Sequence, residues 1–221
     1  MSATRTQFDQ SLRDLRQRVI EMGAVAEDML RAAVRVLQSP DEEAAREVIR
    51  KDDRLDQMDI EIEMQCFRLI ALENPVARDL RLIGTAVKMI ADLERIGDYA
   101  VDIAKIARRL ARMGTLYKPI IDIQRLADMA CALVRSAVRS FAEGDLALVQ
   151  ETAKGDDAVD DLFHQQRDHI IAEMKRDPEM AFFGVYLSFA AKYLERAADH
   201  ACNIAERVAY VETGELFRAE E

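Results

Sequence analysis

The chain has 221 residues, of which 50% are hydrophobic and 33% charged, and a formal net charge of −10. That acidic balance opposes an electrostatic grip on nucleic acid or anionic lipid and leaves such contacts to local basic patches. Three cysteines, Cys66, Cys131 and Cys202, are odd in number and lack CxxC spacing, which argues against a disulfide framework or a zinc site and fits a reducing compartment.

Gly (8) and Pro (4) are sparse, aromatic residues make up 6% of the chain, and Trp is absent. This composition predicts an all-α protein. The stretch from Met1 to Val19 lacks the apolar core of a secretory signal. No run approaches the ~20 apolar residues that span a bilayer. The expectation is a cytoplasmic protein, peripheral to the membrane only through partners.

Breakers fall at nearly regular intervals: Ser39-Pro40-Asp41, Asn74-Pro75, Gly114 to Pro119, Glu143-Gly144-Asp145 and Asp177-Pro178. They divide the chain into six helical segments, because Pro removes a backbone donor and disfavours helix in the residue before it. In segment one, Leu12, Leu15, Val19, Met22, Val25, Met29, Ala33 and Val36 recur every three or four residues. That stripe needs facing helices to cover it. Segment two carries Val48, Leu55, Ile62, Cys66 and Leu69 on one face, and segment three carries Ile83, Ala86, Ile90, Gly97 and Val101. Asp41, Asp145 and Asp177 precede helices and suit capping.

Segments four to six repeat one to three. Ala33-Val34-Arg35 recurs as Ala137-Val138-Arg139, and the same offset of 104 carries Asp41, Asp52 and Asp56 onto Asp145, Asp156 and Asp160. Leu93-Glu94-Arg95 recurs as Leu194-Glu195-Arg196 at an offset of 101, with Asp98 mapping onto Asp199. Registered landmarks over this length indicate duplication: two tandem three-helix bundles, residues 1–115 and 116–221, packed as one body with approximate internal two-fold symmetry.

The acidic residues have a place in this register. At 100° per residue, Asp52 and Asp56 sit roughly 60° and 100° from the centre of the second segment's apolar stripe. Glu94 and Asp98 sit roughly 40° and 80° from the third's, with Asp102 further out at about 120°. Asp156, Asp160, Glu195 and Asp199 repeat the pattern, with Asn203 at the place of Asp102. Each half therefore offers DxxxD on one helix and ExxxD on another, with each pair one turn apart on a single face. Four carboxylates at a seam repel unless a cation joins them. All-oxygen ligands suit hard ions such as magnesium, calcium, manganese or iron better than zinc. Solvated acidic faces, or ion pairs to Arg95 and Arg196, are the plainer explanations of the same spacing. His200 adjoins Asp199 and is read either as a further ligand or as a surface histidine. No phosphate-cradling Gly-rich loop or nucleophile–base pair occurs, so no catalytic residue is assigned.

The stretch Asn74-Pro75-Val76-Ala77-Arg78-Asp79-Leu80-Arg81, with Lys88-Met89-Ile90-Ala91-Asp92-Leu93-Glu94-Arg95-Ile96-Gly97-Asp98, resembles the first-repeat signature of the PhoU family. Tyr193-Leu194-Glu195-Arg196-Ala197-Ala198-Asp199 and the residues to Arg207 resemble the second, and Glu212-Thr213-Gly214-Glu215 resembles the family's ending. The resemblance implies a six-helix, two-bundle fold whose acidic motifs bind metal clusters, with iron, zinc and magnesium among the ions. It also implies a non-enzymatic, homodimeric regulator of the high-affinity phosphate ABC transporter. Such a regulator links the transporter's ATPase subunit to a phosphate-responsive sensor histidine kinase and holds the starvation response off. The alternative reading is a metal-storing or di-metal carboxylate bundle. Di-iron bundles use Glu-x-x-His, and here Gly97 and Ala198 stand where those histidines would be. Ala197-Ala198 replaces Ile96-Gly97, and Asn203 replaces Asp102, so the second site counts one carboxylate fewer.

Overall fold

The computed structural model describes residues 3–114, 118 and 120–215. Among them the chain forms α1 (Ala3–Gln38), α2 (Glu42–Arg50), α3 (Asp52–Glu73), α4 (Ala77–Arg112), α5 (Ile123–Glu143), α6 (Leu146–Arg176) and α7 (Ala181–Thr213), with a 3-10 turn at Pro178–Met180. The six segments are present, and no strand occurs among the described residues. The boundary expected between residues 115 and 116 lies outside the described residues.

One difference lies in segment two, which breaks at Lys51. The Lys51 amide is shared between the Glu47 and Val48 carbonyls, so the ladder tightens for one residue and restarts. Asp52 and Asp53 then occupy the first turn of α3, where carboxylates oppose the positive helix end and their poor mid-helix propensity costs least.

The caps follow side-chain chemistry. Asp41 accepts from the Ala44 amide at 2.7 Å, Asp145 from Ala147 at 2.8 Å, and Asp177 from Glu179 at 3.1 Å. Asp122, which carried no expectation, does the same for Arg125 at 3.0 Å. At the other ends, Asn74, Gly144 and Gly214 adopt left-handed backbone, at φ 47°, 69° and 80°, and stop α3, α5 and α7.

The α1 stripe is buried from Leu12 to Ala33, with Val25 and Val36 at its edge and Ala26, Leu30 and Leu37 joining it. This widening follows from α1 packing on both α4 and α5. The offsets map α1 onto α5, α3 onto α6 and α4 onto α7, and the packing obeys the same map. The α1–α4 contact matches α5–α7, and α3–α4 matches α6–α7, while α1–α5 and α4–α7 cross between the halves. Side chains repeat the symmetry: His200 Nδ1 bonds Asp92 Oδ1 at 2.9 Å, and at the related contact Tyr99 stacks on Tyr193 at 5.8 Å. One apolar cluster runs from Phe8 on α1 to Val211 on α7, so the halves share a core.

The α1–α5 crossing is close because Gly23 has no side chain. A Cβ there would stand 2.6 Å from Val138 Cγ2. Gly23→Ile should therefore destabilise the protein by about 1–3 kcal/mol through overpacking. Adding Val138→Ala should recover part of the loss, measured as a non-additive shift in urea denaturation midpoint.

Candidate metal centre

The helical register brings each expected pair to its seam. In the first half, Asp52 and Asp56 on α3 face Glu94 and Asp98 on α4. Burial first, then the charges of Asp56 and Asp98, push the Asp52 carboxyl up. Burial and Asp98 likewise raise Glu94, with Arg95 opposing. The seam closes because Gly97 lies against Leu55: a Cβ at Gly97 would stand 2.2 Å from Leu55 Cδ2 and 3.8 Å from Asp52 Oδ1. Arg95 takes up part of the charge, reaching Asp98 at 2.7 Å and Glu94 at 3.6 Å. Asp59, one turn beyond Asp56, extends the acidic row. Its carboxyl is raised by burial and by Glu63 and Asp56. Its position on the shoulder was readable from the same i,i+3 spacing.

The second half converges more tightly. One oxygen each of Asp160, Glu195 and Asp199 lie within 4.8 Å of one another. Glu195 is only 7% exposed. Asp156 Oδ1, Asp160 Oδ1 and Glu195 Oε2 are buried with no hydrogen-bond partner. Lys192 binds the other oxygen of Glu195. Burial raises the Asp156 carboxyl, with Asp160 adding to it. Asp199 is pushed up to about 6, by burial first and then by Glu195, Asp156 and Asp160, with Lys192 opposing.

Counting residues favoured the first half, and geometry reverses that order. Asp102, the extra carboxylate, bonds Lys105 at 3.0 Å and acts electrostatically on Tyr193 of α7, since about 120° of helix turns it from the α3 seam. Arg196, the counterpart of Arg95, makes no ion pair with its neighbouring acids among the described residues. Its guanidinium lies 5.1 Å over the Tyr99 ring. His200 is no ligand of the group either, because it faces α4 and meets Asp92 and Tyr99.

Cys202 also stands beside the second group. Its Sγ lies 3.7 Å from the Thr152 carbonyl, and burial, then Asp156, push its thiol well above the usual range. The signal was available, since Glu195, Asp199 and Cys202 share one helix face at i, i+4 and i+7. Cys66 and Cys131 are core residues whose thiols burial pushes up to about 12, leaving them inert.

The PhoU domain model matches residues 19–107 and again 123–208. The chain belongs to the PhoU family. It is 36% identical over 212 residues to a Clostridium acetobutylicum "phosphate-specific transport system accessory protein PhoU homolog", covering 96% of both chains. The crystal structure of PhoU from Pseudomonas aeruginosa superposes with a TM-score of 0.88 at 33% identity, over 94% of this chain and 100% of that one. The phosphate transport system regulatory protein PhoU from Streptococcus pneumoniae superposes at 0.86 with 29% identity, over 96% and 100%. Each matched span contains one of the two ExxxD pairs, Glu94 with Asp98 and Glu195 with Asp199.

The raised Asp199 value has a measurable consequence. The ordinary value is 3.8 and the folded value about 6, so the fold favours the protonated acid. Its contribution to stability is complete below about pH 4 and is lost as pH rises through about 6. In metal-free protein the urea midpoint of Asp199→Asn should therefore rise relative to wild type as pH increases over that interval.

Proposed function

We propose that this PhoU-family chain is a cytoplasmic accessory regulator of phosphate uptake rather than an enzyme. In this reading it represses the high-affinity phosphate ABC transporter and the phosphate-starvation response. It does so as a homodimeric adaptor between the transporter's ATPase subunit and a phosphate-responsive sensor histidine kinase. The observation that carries the reading is the near full-length match to accessory proteins of the phosphate-specific transport system. No described helix is long and apolar enough to cross a membrane, which suits an adaptor that reaches the membrane through partners. The two repeats, 1–115 and 116–221, are its units. Deleting the gene should leave the phosphate regulon active at high phosphate. Normal repression in the deletion strain overturns the proposal, as does failure of the protein to capture both partners.

We further propose that each seam holds a metal ion: Asp52, Asp56, Glu94 and Asp98 in one repeat, and Asp156, Asp160, Glu195 and Asp199 in the other. For the second seam the support is its three buried carboxylate oxygens without partners, whose burial is costly unless a cation satisfies them; for the first it is the matching placement of the four acids on α3 and α4. Oxygen donors favour magnesium, manganese or iron, and the nearby Cys202 leaves room for zinc. Elemental analysis of protein purified without chelator should find metal. Glu195→Ala with Asp199→Ala should empty the second site alone, and Glu94→Ala with Asp98→Ala the first. Unchanged metal content in either pair refutes the assignment. The same carboxylates also support metal storage or di-metal oxidation as a second reading. Oxygen consumption by the metal-loaded protein would favour the oxidase.

A further inference from the structure

The end of α4 and the start of α7 leave an open groove of about 560 Å³ between them. Lys105, Arg108, Arg109 and Arg112 line its α4 side at i, i+3, i+4 and i+7, and Tyr186 and Tyr193 line its α7 side. Two carboxylates answer these four cations: Asp102 meets Lys105 at 3.0 Å, and Glu42 meets Arg112 Nε at 2.9 Å. Arg108 and Arg109 face no carboxylate at ion-pair distance among the described residues, and Arg109 instead lies 5.5 Å over the Tyr186 ring. In a protein of net charge −10, this groove gathers positive charge.

The structural explanation would be that cations at a helix C-terminus offset its dipole. That effect is confined to the last turn, which holds Arg109 and Arg112 but not Lys105 or Arg108. The duplication also supplies an internal control. At the related end of α7, the same positions are Glu206, Ala209, Tyr210 and Thr213, and its last turn has no basic residue. There Arg81 of α4 serves the helix end instead, donating to the Val211 carbonyl at 3.2 Å, so a single cation from a neighbouring helix meets the need where the α4 end gathers four.

We propose that this groove binds a small polyanion with linked phosphoryl groups, either free inorganic polyphosphate or a nucleoside triphosphate. Guanidinium forks pair with phosphoryl oxygens in two-point geometry. Residues 105 to 112 span roughly 10 Å of helix, more than one phosphate fills, and the volume lies in the range of small-ligand sites. Tyr186 and Tyr193 form the opposite wall.

The test is calorimetric titration of the full chain, kept metal-free with chelator, at low salt. Chelation keeps the outcome independent of the seam carboxylates. Pyrophosphate and ATP serve as probes. Binding of either, weakened about tenfold or more by Arg108→Gln with Arg109→Gln and unchanged by Arg135→Gln on α5, supports the proposal. Tighter binding of pyrophosphate than of ATP assigns the inorganic source, and the reverse assigns the nucleotide. If the double variant melts early, the exposed Arg109→Gln alone gives the readout. No binding of either probe, binding that survives in the variants, or an equal loss in Arg135→Gln overturns it. Binding of an acidic peptide in place of both anions overturns it too, and makes the groove a protein-docking surface.

Discussion

Charge in this protein is positioned by its core. Leu55 and Val159 are fully excluded from water, and the carboxylates stand within a turn of them on the same helices. Once α3 packs on α4 and α6 on α7, Glu195 is buried and Asp52, Glu94, Asp156 and Asp160 are half-buried, while Asp56 stays exposed. Burying the stripe is worth roughly 1.5–3 kcal/mol for each large apolar side chain, and that gain holds like charges close together. Burial first, and then the neighbouring like charges, raise the Asp52, Asp156 and Asp199 carboxyls. A cation at either seam would reverse the sign of that interaction without moving a helix.

Duplication then placed one arrangement in two surroundings. The halves share helix packing, the Asp41 and Asp145 caps and the carboxylate register, but they differ in the break at Lys51 and in the residues around each seam. Arg95 shields the first group, whereas Arg196 covers Tyr99 at the axis. The second group is drier and includes oxygens without partners. At the axis itself, related contacts became a hydrogen-bonded Asp92–His200 pair and a stacked Tyr99–Tyr193 pair. Arg207 also reaches Asp92 at 3.3 Å, so this buried carboxylate is held by two partners. Such a polar contact fixes the register of α4 against α7 more narrowly than apolar packing does.

The shared core ties the two groups together mechanically. The helices α4 and α7 each supply an ExxxD pair and pack on one another, so a displacement of either helix reaches both seams and the basic groove between them. A bundle with separate cores would let each site respond alone.

How much of this was legible beforehand follows from the range of the forces involved. Helix boundaries are local, set by Pro, Gly and capping aspartates a few residues away, so the six segments and the caps at Asp41, Asp145 and Asp177 could be read directly. Carboxylate placement on a seam was also legible, since the angle between Asp98 and Ile90 is a property of one helix. The break at Lys51 was less so, because continuous and broken helix differ there by a shared hydrogen bond. The direction of Asp102, the separate roles of Arg95 and Arg196, and Cys202 beside Asp156 depend on which neighbouring helix each side chain meets. By itself, then, the sequence determined the duplicated helices and the eight seam acids, because periodicity and chain punctuation act within one element. Only the tertiary structure decided that the second group, poorer in charge by count, is the tighter one, because convergence and burial arise between elements.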